Sequence, residues 1–415
     1  MMKRLSTIIC SLLVTTLCSF VTAQSPYIDK VYDFLPAPGQ FVNELPEYEP
    51  GDTRDDLIRK AEEAIAHNEQ GLISLGGYGG YVVFGFDHLV ENQPGKYDFK
   101  ILGNAFYAAS NPNGNATREG GSCEPGIVMV SYDANGNGLP DDEWYELAGS
   151  EYYQPETIHH YEITYYKPDE NKIPAPDKNY PFLNDTTYIQ WTSNQGDYGY
   201  VSRNVYHSQS YYPQWITDET LVFEGTKLAN NYVDESGTGS YYVQYAYDWG
   251  YADNHPNTDK RSGFSIEWAV DGDGNPVQLP GIHFVKVYTG VNQYCGWLGE
   301  TSTEILGAED LHLTGGDVDV PTNPPTNPPT NLEGFENLPG FNGSFNGSVR
   351  LLQNPVRQQL IIVSVQSQQT NVYNLIGNKV MSFPIESGTN HIPCNLSKGL
   401  YILATENYKI KFLKQ

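Results

Sequence analysis

Basic residues are scarce in this sequence: 24 Lys and Arg stand against 50 Asp and Glu, and the formal net charge is −26. Because nucleic acids and anionic membrane surfaces are bound through basic patches, this balance argues against both as partners. Long apolar runs are also rare. Beyond the first 23 residues none approaches the roughly 18 residues of a membrane-spanning helix, so no transmembrane segment is predicted.

Sequence motifs of the common enzyme classes are absent as well. The chain has no G-x-S-x-G elbow, no H-E-x-x-H helix, no phosphate-binding loop and no G-x-G-x-x-G after a strand. His159 and His160 fall in a strand pattern, where neighbouring side chains point to opposite faces and cannot share a metal. We therefore expect a non-enzymatic protein. A secreted hydrolase of glycans or peptides is one alternative, since its paired carboxylates need no sequence motif, and a purely structural surface protein is another.

The first 23 residues have the pattern of a secretory signal peptide. They begin with Lys3 and Arg4, continue with an apolar stretch and end in a small residue, Ala23. We expect cleavage before Gln24 and export of the mature protein through the periplasm to the cell surface or the extracellular medium.

Cysteine is sparse, and three of the five cysteines follow the predicted cleavage point. In an oxidising compartment Cys123 and Cys295 form a candidate disulfide, and the alternative is two buried free thiols. Cys394 would remain unpaired near the end of the chain.

A length of 415 residues favours two folded units. The sequence PTNPPTNPPTN, residues 321–331, cannot form a helix or a sheet ladder and is typical of an extended spacer. We therefore predict a signal peptide at 1–23, a ligand-binding domain at 24–316, a Pro/Asn/Gly-rich linker at 317–348 and a small C-terminal domain at 349–415.

Strand patterns fill most of the larger predicted domain. Short apolar runs at residues 81–86, 99–102, 127–132 and 144–147 are separated by Gly, Asn, Pro and Asp clusters. Further apolar residues alternate with polar ones at Tyr161, Ile163 and Tyr165, and again at Phe264, Ile266 and Trp268. This pattern predicts a mainly β fold in which antiparallel sheets pack face to face as a β-sandwich.

One helix is predicted before these strands. Thr53 and Asp56 have the spacing of a capping box, and an apolar stripe with helical periodicity follows them. Gly71 is placed to follow the end of this helix.

The segment from Asp133 to Glu143 has the composition of a calcium-binding loop. Side-chain oxygens fall at positions 1, 3, 5 and 9 of this segment, and a backbone carbonyl falls at position 7. An EF-hand has Glu at position 12, where this chain has Trp144, so a bidentate ligand would come from Asp142 or Glu143. The candidate ligands of this structural Ca²⁺ are Asp133, Asn135, Asn137, Leu139, Asp141, Asp142 and Glu143. The alternative is an Asx-rich hairpin turn without a metal. A second Asp-rich segment, from Asp271 to Pro276, is predicted to be a tight turn.

Aromatic residues are abundant, with 32 Tyr and 6 Trp. Flat rings beside amides and acids are typical of sites that bind sugars or large planar ligands, and two such groups occur in loop-like segments. The candidate ligand-binding residues are Tyr211, Tyr212, Trp215, Trp249, Tyr251 and His255. The alternative is that these rings fill the core of the sandwich.

The last 65 residues or so contain short motifs in a fixed order. Asn354 and Pro355 are followed by Gly377, then by Gly399 and Tyr401, and finally by lysines that include Lys411 and Lys414. This order resembles the type A C-terminal sorting domain of the Bacteroidota type IX secretion system. The resemblance implies a small β-sandwich that the secretion machinery recognises.

The beginning of the large domain carries a second resemblance, through Ser74, Leu75, Gly76, Phe86, Asp98, Phe99, Asn104 and Phe106. These residues resemble those of a jelly-roll-like sandwich found in bacterial surface proteins. Together with residues 296–313, they further resemble Bacteroidota cell-surface proteins associated with corrinoid uptake. The sequence therefore predicts a secreted or surface-displayed binding protein whose ligand is a corrinoid or a glycan.

Overall fold

The computed structural model describes residues 24–108, 113–316 and 319–320, and in the C-terminal part residues 349–351, 356, 359–364, 367–374, 379–405 and 409–414. The predicted signal peptide and most of the predicted linker lie outside the described residues.

The larger part of the described chain, up to Val320, consists of short strands with few helices. Its strands are β1 Lys30–Leu35, β2 Ile73–Ser74, β3 Tyr81–Glu91, β4 Phe99–Leu102, β5 Phe106–Tyr107, β6 Gly120–Ser122, β7 Gly126–Ser131, β8 Trp144–Leu147, β9 Ile158–Tyr166, β10 Leu183–Ser193, β11 Tyr198–Asn204, β12 Thr220–Lys227, β13 Tyr232–Asp234, β14 Tyr242–Tyr245, β15 Gly263–Phe264, β16 Ala269–Val270, β17 Gly281–Thr289, β18 Glu304–Ile305 and β19 Gly307–Asp310. Its helices are α1 Arg54–Ile65 and α2 Leu311–Thr314, with 3₁₀ turns at Lys260–Ser262, Ile266–Trp268 and Gly296–Leu298.

These strands form antiparallel sheets that pack face to face. The largest sheet has the order β1-β3-β17-β7-β8-β16, and a second has the order β11-β10-β9-β12. Smaller sheets have the orders β13-β14-β6-β5, β15-β4-β19 and β18-β2. Tyr161, Ile163 and Tyr165 of β9 are buried in one cluster with Ile127 of β7 and Tyr288 of β17. The predicted mainly β sandwich is therefore confirmed, while its jelly-roll form stays a prediction.

The predicted helix and its capping box are confirmed, although the helix ends at Ile65 with Ala66 as its C-cap, before Gly71 is reached. α1 begins after Thr53, whose side chain accepts a hydrogen bond from the Asp56 N–H while the Asp56 carboxylate accepts one from the Thr53 N–H. Leu57, Ala61 and Ile65 face inward and join the core on one side of the largest sheet. The apolar stripe thus places α1 against this sheet.

The strand predicted through Phe264, Ile266 and Trp268 is wrong as a single strand. β15 ends at Phe264, and residues 266–268 form a 3₁₀ turn. The Ile266 N–H donates to the Asp98 carboxylate at 2.7 Å, so a side chain takes the place of a neighbouring strand. All three apolar side chains are nevertheless buried. Their alternation with polar residues therefore reports burial and not strand geometry.

The C-terminal part is a small two-sheet unit. Its strands are β20 Val349–Leu351, β21 Gln359–Ser364, β22 Gln368–Asn374, β23 Lys379–Ile385, β24 Gly388–Pro393, β25 Gly399–Ala404 and β26 Lys409–Lys414. One sheet has the order β20-β21-β24 and the other β23-β22-β25-β26. Leu360 and Ile362 from the first sheet share a core with Val372, Leu403 and Phe412 from the second. Within the described residues, no helix is both long and apolar enough to cross a bilayer.

Candidate functional site

A cavity of about 430 Å³ lies beside the segment that joins β17 to β18. Acidic, amide and aromatic side chains line it, among them Glu124, Glu300, Glu304, Gln244, Tyr206 and Trp297. Its size is within the range of about 300–1,000 Å³ that is typical of small-molecule sites. The cavity is therefore the best candidate for a functional site among the described residues.

Glu124 and Glu304 line this cavity, and the carboxyl group of Asp253 lies close to both. Glu124 lies between β6 and β7, Asp253 lies in the loop between β14 and β15, and Glu304 begins β18. One carboxylate oxygen from each lies within 4.8 Å of one from each of the others. This spacing is compatible with a single cation bound between them.

Backbone N–H groups hold Asp253 in place. Asp253 itself has a positive φ of 52°, a conformation that Asp tolerates better than most residues. Its Oδ1 accepts hydrogen bonds from the N–H groups of Asn104 and Ala105, each at 2.8 Å, and its Oδ2 accepts one from Glu304 at 3.0 Å. Gly103 is required beside it, because a Cβ there would lie 2.4 Å from Asp253 Oδ1.

Hydroxyl and amide groups hold the other two carboxylates. Ser74, paired with Glu304 across β2 and β18, donates from its hydroxyl to Glu304 Oε1 at 3.0 Å, and Ser302 also donates to this oxygen. Gln244 Nε2 donates to Glu124 Oε1 at 3.3 Å, and the Ser122 hydroxyl donates to Oε2 at 3.2 Å. Neutral donors thus orient both carboxyl groups, and Glu124 and Glu304 also interact with each other through their side chains.

Glu300 is a fourth acid in the wall of the cavity. It is only 8% exposed, and its Oε1 accepts a hydrogen bond from the Gln40 N–H at 2.5 Å. Its Oε2 is buried and has no hydrogen-bond partner in the part of the chain that the structure describes. Glu300 also forms part of the wall of a smaller neighbouring cavity of about 100 Å³. Because burial disfavours the charged form, and Glu124 adds repulsion, the pKa of Glu300 rises to about 8.

The pKa values of Glu124, Asp253 and Glu304 are raised as well. Burial is the largest cause for all three, and repulsion from Glu124 raises the pKa of the other two further. Among the described residues, no Lys or Arg lines this cavity and His207 is the one histidine that does; burial lowers the pKa of His207. The carboxylates can therefore be neutralised by protons or by a bound cation, but not by a basic side chain in the wall.

Aromatic side chains stand at the rim. Trp297, on the 3₁₀ turn, is 41% exposed, and Tyr206, which follows β11, is 65% exposed. The turn that carries Trp297 is closed by a hydrogen bond from the Cys295 N–H to the Gly299 carbonyl, at 2.7 Å. Gly299 has a φ of 95°, which other residues rarely adopt. Large exposed rings beside acids and amides are suited to stacking against a ligand.

The predicted calcium loop forms a network of side chains. Asp133 accepts hydrogen bonds from the N–H groups of Gly136, Asn137 and Gly138, and Asn135 and Asn137 both donate to the Asp141 carboxylate. Asp133, Asn135, Asn137 and Asp141 are thus brought together. Asp142 accepts a hydrogen bond from the Ala134 N–H, Glu143 bonds the Tyr145 hydroxyl, and the Leu139 side chain is 49% exposed. The structure brings the acids and amides together, and Ca²⁺ binding stays a prediction.

The predicted aromatic ligand residues lie mainly in the core. Tyr211, Tyr212, Trp215, Tyr251 and His255 are buried, and Trp249 packs against Trp268 with ring centroids 4.6 Å apart. Tyr211 and Tyr251 belong to the apolar cluster beneath β9, and the His255 ring bonds the Tyr107 hydroxyl at 2.7 Å. These rings contact other side chains and do not line the cavity.

The cysteines of the large domain are separate buried thiols in this structure. Cys123 and Cys295 are both free and buried, and so is Cys394. Cys295 Sγ contacts the Thr301 hydroxyl at 3.5 Å. His283 accepts a hydrogen bond from the Asp133 N–H, and His312 bonds Asp98, so neither histidine partners Cys295 as a thiol protease would require.

Part of the predicted sorting motif lies in described strands. Gly399 and Tyr401 belong to β25, and Lys411 and Lys414 belong to the neighbouring β26. The Tyr401 ring stacks on Phe412 at 5.7 Å between centroids. Asn354, Pro355 and Gly377 lie outside the described residues.

Sequence reasoning missed Glu300 and the three clustered acids, Glu124, Asp253 and Glu304. The three clustered acids are separated by up to 180 positions, so no local spacing connects them. One signal could have pointed to them. Ser74 and Asn104 belong to the first segment that carries a family resemblance, and Glu300 and Glu304 belong to the second, residues 296–313.

A comparison of the chain with protein-family models and with curated proteins finds no match.

Proposed function

We propose that this protein is a secreted, non-enzymatic binding protein whose acidic cavity captures a small polyhydroxylated ligand, a glycan end or a monosaccharide. The observation that carries the proposal is the combination of buried acids at the base of the cavity with exposed rings at its rim, Trp297 and Tyr206. Sugar hydroxyls need many hydrogen-bond acceptors and donors, and sugar rings stack on aromatic faces.

The size and polarity of the cavity favour a glycan over a corrinoid. Carboxylates and amides make up much of the wall, and the volume of about 430 Å³ fits one or two sugar units. A corrinoid is several times larger than a monosaccharide and would rest on the rim, with its ring against Trp297. Corrinoid binding is therefore the competing outcome of the same experiment.

Isothermal titration calorimetry with the purified protein tests the proposal. A panel of mono- and oligosaccharides is titrated in parallel with cobalamin, with and without Ca²⁺. We expect saturable binding of at least one saccharide and about tenfold weaker binding by a Trp297→Ala variant, because the variant loses the large aromatic contact face at the rim. A tenfold change corresponds to about 1.4 kcal/mol.

Tyr198→Ala is the matched control for Tyr206→Ala. Tyr198 is 69% exposed on β11 but does not line the cavity, whereas Tyr206 is 65% exposed and does. Loss of binding in the Tyr206 variant alone supports the cavity as the site. Equal loss in both variants, or binding of cobalamin alone, contradicts the glycan proposal, and no binding at all favours a structural role.

The Asp133 loop is proposed to bind a structural Ca²⁺. Four of its acid and amide side chains already share one hydrogen-bond network, which a cation could replace with metal–oxygen contacts. The ion would hold together the loop between β7 and β8, two neighbouring strands inside the largest sheet. We expect an Asp133→Ala variant to lose part of the Ca²⁺-dependent rise in melting temperature.

Hydrolysis of a glycosidic bond is a second candidate function, favoured by the raised pKa values in the cavity. Glu300 with a pKa of about 8 is protonated at neutral pH and could donate a proton, as the general acid of a glycosidase does. If the protein releases free sugar from an oligosaccharide and the Glu300→Gln variant does not, hydrolysis replaces binding as the proposed function.

Export through the type IX system is proposed from the C-terminal unit. Its two sheets enclose one apolar core, which supports the idea of a folded signal that the secretion machinery could recognise. In a bacterium with this system, removal of residues 349–415 should leave the protein in the periplasm. Arrival of the truncated protein at the cell surface would contradict the proposal.

A further inference from the structure

We infer that Glu124, Asp253 and Glu304 form a second cation site, at the base of the cavity, which binds Ca²⁺. Their carboxylate oxygens converge within 4.8 Å of one another although the residues are distant in sequence. The site is distinct from the loop at Asp133, and no sequence motif indicated it.

Hydrogen bonds from the surroundings fix the positions of the three carboxyl groups. Three backbone N–H groups fix Asp253, and the hydroxyls of Ser74 and Ser302 fix Glu304. Asp253 Oδ1 and Glu304 Oε1 each accept two hydrogen bonds, whereas Asp253 Oδ2 accepts one. Because an ionised carboxylate can accept about four contacts in total, lone pairs remain unused on these carboxyl groups. The carboxylates are therefore oriented but not saturated, as metal ligands with supporting hydrogen bonds are.

Glu300 provides an independent observation. It is outside the cluster of three, yet it lines the same cavity, and its buried Oε2 has no hydrogen-bond partner. A buried polar atom without a partner is unfavourable, so a water molecule or an ion beside it is expected. A cation at the cluster, with its bound water, would give this oxygen a partner.

The donor set favours Ca²⁺ over transition metals. All the converging groups are oxygen donors, which suit hard cations and leave room for water or ligand hydroxyls in a shell of six to eight. The one thiol of the wall, Cys295, contacts the Thr301 hydroxyl at 3.5 Å and burial raises its pKa to about 12, so it does not offer a thiolate. The cluster is an oxygen-only site.

The inference deepens the proposed function, because a cation at the base of the cavity could also coordinate ligand hydroxyls. Coordination of the ligand rests on the glycan proposal, whereas binding of Ca²⁺ is independent of it. Calcium titrated in the absence of any sugar tests the cation site alone, and sugar titrated with and without Ca²⁺ tests the connection between the two.

The experiment compares Ca²⁺ binding by calorimetry in the full protein and four variants, after removal of metals with a chelator. Glu304→Gln and Glu124→Gln keep the size of each side chain but remove a charge. Asp133→Ala removes the loop site, and Glu219→Gln is a control because Glu219 is exposed and outside the cavity. Circular dichroism melting confirms that each variant folds.

We expect both cavity variants to bind one Ca²⁺ at least tenfold more weakly, while Asp133→Ala and Glu219→Gln keep that binding event. The inference is overturned if folded Glu304→Gln and Glu124→Gln bind Ca²⁺ as the wild type does. Should neither cavity variant fold, Asp133→Ala decides: one Ca²⁺ bound by this variant supports the cavity site, and none bound refutes it. Calcium binding without sugar binding would leave this inference standing and remove the glycan proposal.

Discussion

Replacing Glu300 by Gln should make the protein more stable at alkaline pH. Glu300 is buried, one of its oxygens has no partner, and its folded-state pKa is about 8 against an ordinary value of 4.5. Gln keeps the Oε1 atom that accepts the hydrogen bond from the Gln40 N–H, so the main structural contact is retained. What the substitution removes is the cost of burying a negative charge.

The sign and size follow from proton binding. Between pH 4.5 and 8 the unfolded chain has lost the Glu300 proton while the folded protein still holds it, so wild-type stability falls as pH rises through this window. At about 1.4 kcal/mol per pH unit the full loss is about 5 kcal/mol above pH 8. Water penetration and local rearrangement reduce such costs, so we expect Glu300→Gln to gain ~2–3 kcal/mol at pH 9 and little at pH 4.

Urea denaturation followed by tryptophan fluorescence measures this difference. All six Trp lie between residues 144 and 297, so the signal reports on the large domain alone. The measurements are made in a chelator, because a bound cation would offset the buried charge. The reasoning is refuted if the Glu300→Gln variant is less stable than wild type at pH 9. It is also refuted if the substitution changes the free energy of unfolding equally at pH 4 and pH 9.

Three further predictions concern stability and use the same fluorescence assay. Thr53→Ala should lower the free energy of unfolding by about 1 kcal/mol, because it removes one half of the capping box of α1, and no change would show that the cap is unimportant here. Ile163→Ala should cost about 2–5 kcal/mol, since Ile163 is fully buried between the sheets, and a loss below 1 kcal/mol would contradict that packing. Gly103→Ala should cost about 1–3 kcal/mol and weaken Ca²⁺ binding at the cavity, because the new Cβ would displace Asp253, and unchanged binding would argue against Asp253 as a ligand.

Local sequence patterns predicted local elements well. β4 and β8 begin and end as expected, at Phe99–Leu102 and Trp144–Leu147, and the turn at Asp271 is closed by a hydrogen bond from the Gly274 N–H to the Asp271 carbonyl. Each of these depends on interactions among neighbouring residues, such as alternation, turn chemistry and capping. The segment after Phe264 was mispredicted because a distant side chain, Asp98, bonds its backbone.

The aromatic residues show the limit of composition as a guide. Tyr211 and Tyr251 are in a loop-like sequence with acids and amides nearby, which is typical of a sugar site, yet both are at most 2% exposed. Loop-like sequence does not decide which face of a ring meets solvent, since that depends on which sheets pack over it. Trp297 and Tyr206, by contrast, are exposed because glycine turns and an Asn204 contact hold them at the rim of the cavity.

The sequence by itself determined the mainly β character, the capped helix, the turns and the acidic balance of the chain, because each of these depends on residues close together or on composition. Tertiary structure alone decided the site. Glu124, Asp253 and Glu304 are far apart in the chain and look like ordinary acids. Only the pairing of β18 with β2 and the loop before β15 bring them together at the cavity that Glu300 also lines. Their pKa values are raised only in the folded protein, because the fold buries these carboxyl groups near one another.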